Sequence, residues 1–545
     1  MRAKTLLVAG AAVLCASPAL ADDAAILKRL DDMQHMMELQ QKQIAAQRTE
    51  INALRGALHH KGIAVAPTAE TTAAAAPPAS GPTVEERLAQ QLDAIHALDT
   101  RVAAQETRAP KEKSDAPSWS LANGRPTVTS ADGRFSLSIR ALVQYDNAYF
   151  MQGAHALQLA AANGPDLSSG SNFRRAQLGI QGKLFGDWNY FFNYDFGSGA
   201  SSGNELQGRI QQAYVEYAGL GPLTVRIGAY PWSANLEDAT GAADVMFLER
   251  NAPSDLSRSL GGGDGRDGIG VIYAGDRFFG SLAYTGGKAA DTTLFFDEQQ
   301  AVVARASDMF YSGEDLKLLL SLAGTYVFHG GDATAGAGSA HNITLQDGPE
   351  LTEDDNSLRL ISTGALNVRS AYNYAVEGAA EFHSLYGQAG YFGYGMNQQA
   401  AGAADLTFNG WYAQAAWDIT GESRPYNVQN GSFANPKPSA PFGIDTWNPG
   451  AWEVAARYSD LDLNDDDGTL GSALPAGGIR GGDQRIATVA LNWYPNSVLK
   501  FALQYQHVDI SRIGTIPAGF GHAALSNAQV GQDFDTFAFR SQISL

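Results

Sequence analysis

Residues 134–146 read Arg-Phe-Ser-Leu-Ser-Ile-Arg-Ala-Leu-Val-Gln-Tyr-Asp. Phe135, Leu137, Ile139, Ala141, Val143 and Tyr145 share one parity, and Ser136, Ser138, Arg140, Gln144 and Asp146 share the other. Successive side chains of a strand point to opposite faces, so this segment makes a strand with one oily and one wet face. From here to Leu545 the unit recurs, with Gly-, Asp- and Asn-rich turns between copies. Many two-faced strands in a row, without a run of about 18 apolar residues, are the pattern of a transmembrane β-barrel. In lipid only a helix or a closed sheet satisfies its own backbone.

The chain starts as an exported protein does. Arg2 and Lys4 precede the apolar run from Leu6 to Leu14, and Ala19-Leu20-Ala21 fits a signal-peptidase site. Residues 1–21 are therefore expected to be a signal peptide, with Asp22 opening the mature chain. The run is too short to span a bilayer. Cys15 is the single cysteine and falls in that segment, so the mature chain has no disulfide or thiolate chemistry. Export and repeated strands together predict a bacterial outer membrane, with its lipid as a partner.

Residues 22–61 are expected to form a coiled-coil helix. Ile26, Leu30, Met33, Met37, Ile44, Ile51, Leu54 and Leu58 alternate by three and four, and Gln40 and Gln47 fill the two missing core positions. An Ala/Pro/Thr-rich linker, 62–83, leads to a second short coiled-coil helix, 84–107, on Val84, Leu88, Ile95, Leu98 and Val102. A polar linker, 108–133, carries Pro110, Pro117 and Pro126. The barrel domain is 134–545, with about sixteen antiparallel strands. A hairpin turns at Gly186-Asp187, and separate strands are expected at 357–368 and 370–382. The last strand puts Phe537, Phe539, Ile543 and Leu545 on one face.

The net charge is −19, and from Ser118 onward 25 Lys+Arg stand against 43 Asp+Glu. The acid falls in runs such as Glu353-Asp354-Asp355 and Asp465-Asp466-Asp467, which suit solvated loops. Nucleic acid is excluded as a partner on this balance. The same region has 20 Arg and only five Lys, and arginine holds oxyanions through two parallel hydrogen bonds. A pore selects by width and by the charges lining it. Alternation nominates Arg140 on the first strand, Arg175 and Lys183 on the second, and Arg226 and Tyr230 on the fifth. Arg250 belongs to the long segment from Pro231 to Gly263, whose Val245, Met246, Phe247 and Leu248 a solvated loop would not need. These six residues are the expected anion path. The competing reading pairs each arginine with a carboxylate, Glu249 and Asp238 foremost, so that it fixes the loop instead.

Several segments resemble the phosphate-selective porin O and P family. They are Phe173-Arg174-Arg175-Ala176-Gln177-Leu178-Gly179, Gly182-Lys183-Leu184-Phe185-Gly186-Asp187-Trp188 and Gln212-Ala213-Tyr214-Val215-Glu216-Tyr217. Met246-Phe247-Leu248-Glu249-Arg250-Asn251-Ala252, Gly450-Ala451-Trp452-Glu453-Val454 and Leu491-Asn492-Trp493-Tyr494 are similar too. The resemblance implies a sixteen-stranded homotrimeric porin whose third long loop enters the lumen and makes a constriction. It also implies small anionic solutes such as phosphate or polyphosphate as cargo. The family's lysine cluster has little counterpart here: Lys183, Lys288, Lys317, Lys437 and Lys500 are all that the strand region offers.

No cofactor or metal is expected, and no enzyme. Asp462, Asn464, Asp466 and Gly468 lack the glycine position and final glutamate of a calcium loop, and His-Glu-x-x-His is absent. Two other functions fit the sequence. One is a porin for carboxylate nutrients or general small polar solutes. The other is an envelope tether whose periplasmic coiled coil contacts the cell wall.

Overall fold

The computed structural model describes residues 116–545 apart from 154–166, 198–207, 290–296, 333, 335–338, 352–358 and 517–522. The signal peptide, both coiled-coil segments and the linker between them lie outside the described residues.

Sixteen antiparallel strands close on themselves. They are β1 Ser136–Gln152, β2 Gly170–Leu184, β3 Trp188–Asp195, β4 Arg209–Leu220, β5 Leu223–Ala229, β6 Arg266–Ala274, β7 Phe278–Lys288 and β8 Gln300–Ser312. They continue as β9 Leu316–His329, β10 Ile361–Phe382, β11 Leu385–Gln398, β12 Leu406–Asp418, β13 Ala451–Asp465, β14 Ile479–Tyr494, β15 Leu499–Ser511 and β16 Asp533–Ser544. Each pairs with its chain neighbour, and β16 returns to β1, running from Phe534 opposite Gln152 to Ser544 opposite Leu142. Closure leaves no strand edge in the lipid.

The expected pair of strands at 357–368 and 370–382 is one strand of 22 residues, β10. Val368-Arg369-Ser370 holds no Gly, Pro or Asn to turn the chain, and only a bulge marks the spot. The far half of β10 pairs with a short strand, Asn342–Asp347, and the near half pairs with β9. The expected linker 108–133 contains, in its described part, the short strands Ser118–Ser120 and Thr127–Thr129; the second pairs with β1 at Ser136–Ser138.

The parity read from the sequence sets the two faces. On β16, Phe537, Phe539 and Ile543 are exposed outward, while Thr536, Ala538, Arg540 and Gln542 are buried. β1 repeats this with Leu137, Ile139 and Tyr145 outside and Gln144 and Asp146 within. No helix among the described residues is long and apolar enough to cross a membrane; the strands do the crossing.

Candidate functional site

A barrel of this size needs a filled or watered interior. Most of the filling is the connection between β5 and β6, residues 230–265. Its backbone leaves water without forming a ladder, so each buried N–H and C=O needs a partner. Polar side chains on the inner face supply them. Gln144 donates to the Ala242 carbonyl at 3.2 Å, Gln542 to Ala243 at 3.0 Å and Lys500 to Val245 at 2.7 Å. Asn492 donates to the Met246 carbonyl at 2.9 Å, and the Gln504 side chain accepts from the Leu248 N–H at 2.9 Å. Arg457 donates to the Glu249 carbonyl at 2.9 Å. Val245, Met246, Phe247 and Leu248 are buried, as the sequence required of this run.

Two helices shape the connection. α1, Leu236–Ala239, starts at Asn235, whose side chain accepts from the Asp238 N–H at 2.8 Å. α2, Ala252–Gly261, starts at Asn251, which caps Ser254 at 2.9 Å, with Pro253 in the first turn where its missing N–H costs nothing. Leu256 and Leu260 of α2 join a cluster with Val327, Tyr394, Phe408 and Leu461 of the barrel wall. Each such burial contributes about 1.5–3 kcal/mol. Trp232 lies against β6 because Gly268 and Gly270 carry no Cβ; one there would stand 2.8 Å and 2.7 Å from the indole.

Glu249 ties the connection to the wall. Its carboxylate accepts from Arg174 at 2.7 and 3.0 Å and from Arg540 at 3.1 Å, and Arg540 also pairs with Asp146. Burial opposes the Glu249 charge, but Arg174, Arg175 and Arg540 outweigh it and hold the carboxyl well below the usual carboxylate range. Arg258 is likewise held by Asp238 at 2.7 Å and by Asp264.

A second segment fills the lumen from the opposite end. The other connections at that end are two to four residues long, but residues 419–450, between β12 and β13, are not. Arg424 pairs with Glu453 of β13, and Arg305 of β8 donates to the Asn430 and Gly431 carbonyls. Asn435 reaches the Ala243 carbonyl at 2.7 Å, and Ser432 the Ala239 carbonyl at 3.2 Å.

Between these fillings and the wall of β1–β5 lies a cavity of about 510 Å³. Five of the six expected path residues line it: Arg140, Arg175, Arg226, Tyr230 and Arg250. Lys183 does not. It is exposed near the short Phe185–Asp187 turn, because β2 has almost left the barrel there. Arg125 and Arg258 complete a set of six lining arginines against four lining carboxylates, Glu216, Asp238, Asp244 and Asp264. No lysine lines it.

The arginines differ in their pairing. Arg226 donates to Glu216 at 2.8 Å and packs against the Tyr214 and Tyr230 rings, 4.3 Å and 3.9 Å from their centroids, in the corner where the two rings meet edge to face. Arg175 donates to Gln144 at 2.7 Å and stands 3.8 Å from Glu249. Arg250 donates to the Thr240 carbonyl at 2.9 Å and lies 4.0 Å from Asp238. Arg140 donates to the neutral Gln181 at 3.1 Å, over the Phe191 ring. Among the described residues, neither Arg125 nor Arg140 has a carboxylate within ion-pair distance. Arg140 is four residues along β1 from Gln144, the register partner of Arg175, so the two guanidiniums belong to levels roughly 13 Å apart along the strand.

Sequence reasoning missed three groups. Strict alternation turns Arg174 to the lipid. A bulge opposite Gln144 and Tyr145 brings it inside beside Arg175. The loop anchors Asn492, Gln504, Arg540 and Gln542 sit on the inner faces of their strands, and their partners are some 250 to 300 residues away. The segment 419–450 announces itself only by its length.

The closed sixteen-stranded barrel, oily outside and lined by charge within, defines a porin of the bacterial outer membrane. The chain belongs to the phosphate-selective porin O and P family, whose model matches residues 152–529. It is 24% identical over 396 residues to Porin O of Pseudomonas aeruginosa, covering 71% of this chain and 86% of that one. Solved barrels align more loosely. OmpT of Vibrio cholerae has a TM-score of 0.43 at 8% identity, over 75% of this chain and 99% of that chain. The anion-selective porin of Comamonas acidovorans has 0.40 at 12%, over 75% and 100%.

Proposed function

We propose that this porin passes small anions along the arginine-lined side of its lumen, with the third long loop as the constriction. The carrying observation is the charge of the cavity: six arginines against four carboxylates, with Arg125 and Arg140 free of any carboxylate partner among the described residues. At an effective dielectric near 20, a unit charge at about 5 Å is worth roughly 3 kcal/mol, enough for two such groups to favour anions over cations. No single site holds the ion tightly, so it can leave. Phosphate and polyphosphate are the first cargo, in keeping with the family's description. Small carboxylates share the chemistry that a guanidinium recognises. The proposed unit is a homotrimer whose coiled-coil segments, 22–61 and 84–107, belong to the periplasm; in the tether reading they would contact the cell wall.

The test is the reversal potential of the Arg125→Ala/Arg140→Ala variant in a salt gradient. It should fall toward the non-selective value. An unchanged potential would mean that ions do not pass these residues.

A further inference from the structure

At the end of β9, where the long loops lie, three side chains converge that the pore does not use. His329 is the last residue of β9, Asp332 follows two glycines later, and His341 returns opposite Asp332 in an isolated antiparallel bridge. One ring nitrogen from each histidine and one carboxylate oxygen lie within 4.8 Å of one another. His341 Nδ1 is 3.0 Å from Asp332 Oδ1, and the two imidazole rings meet edge to face at 4.5 Å. Their backbones are fixed independently. Asp332 N–H donates to the Asp297 carbonyl at 2.9 Å, and His341 N–H to the Asn367 side chain at 3.0 Å.

His329 Nδ1, Asp332 Oδ1 and His341 Nδ1 are all shielded from solvent; His329 Nδ1 has no partner, and His341 Nδ1 and Asp332 Oδ1 face each other at 3.0 Å without hydrogen-bond geometry. Shielding a polar atom without a hydrogen bond is costly, and His329 Nδ1 bears that cost in full. A proton on one imidazole satisfies the carboxylate but leaves the other ring as it was. A single divalent ion satisfies all three. Two imidazoles and one carboxylate suit zinc, copper or nickel; calcium and magnesium prefer oxygen alone. Bond lengths of about 2.0–2.2 Å put tetrahedral donors roughly 3.4 Å apart, within the spread found here.

We propose that His329, Asp332 and His341 bind one d-block divalent cation, zinc foremost, with a fourth position open to water. The ion would bridge the two arms of the connection 330–360 at its base. The same connection carries Glu350, which pairs with Arg457 inside the lumen.

Zinc titration by calorimetry would test this on the untagged full-length protein, stripped by chelator and held in detergent. One zinc per chain is expected, as is the visible absorption of tetrahedral cobalt when cobalt replaces it. His329→Ala, His341→Ala and Asp332→Asn should each weaken binding by more than about tenfold. His59→Ala/His60→Ala should leave it unchanged. Circular dichroism confirms that each variant keeps its β-sheet, and Asp332→Asn, which preserves shape, guards against a folding artefact. No binding, or binding that survives the loss of both His329 and His341, would overturn the site.

Discussion

Arg226 and Glu216 face the same cavity and cancel each other, so each hides the other's effect on a passing ion. Removing one partner uncovers the remaining charge. Glu216→Gln should make the channel more anion-selective, and Arg226→Ala should move it toward cations, both read as shifts in reversal potential. Lys183 lies outside the path, and Lys183→Ala should leave the potential unchanged. At this scale the sequence was legible where alternation holds. Arg140, Arg175 and Arg226 came from parity alone. Arg174 did not, because one bulge reverses parity for a single residue without a mark in composition.

The third connection is held as an element, by pairs between distant strands. Arg540 joins Asp146 of β1 to Glu249 of the connection, so Arg540→Ala strands the buried Asp146 carboxylate and takes one of the partners of Glu249, which keeps Arg174. The expected cost is about 3–5 kcal/mol. It should appear as noisier and larger single-channel currents, because the loop loosens before the wall does. The Glu249 carboxyl is depressed in the fold, so its contribution is present at pH values above the unfolded carboxylate range. It is lost only as the pH falls through the depressed value. Channel noise should therefore be the same at pH 7 and pH 5, and Glu249→Gln should reproduce at neutral pH the noise of the Arg540 variant. The oily run Val245–Leu248 marks this loop as packed in the sequence alone. The wall it packs on was not legible, since a glutamine on a wet face looks the same whether it meets water or a carbonyl. The gap between strands that end near Asp418 and begin near Gly450 was visible as a length, but nothing local said that it turns inward.

The barrel domain is a two-faced sheet closed by β16 on β1, and its two faces could be read from period two alone. The sixteen strands, with the two expected at 357–368 and 370–382 being the single β10, make the even number that closure of a bacterial single-chain barrel asks for. The outer face meets lipid along its length. Leu322, exposed on β9, should cost about 2–4 kcal/mol of membrane stability as Leu322→Arg if it sits near the bilayer midplane. Denaturant unfolding in lipid vesicles reads that loss. The net charge of −19 is an average over the chain. The lumen separates from that average, because arginine outnumbers acid in the cavity while the acid-rich runs fall largely in the long connections. The central claim is that local excess. The zero-current potential of the purified protein in a planar bilayer, under a potassium chloride gradient and with phosphate added, measures it directly. The account predicts anion selectivity and a chloride current reduced by phosphate; cation selectivity would contradict it.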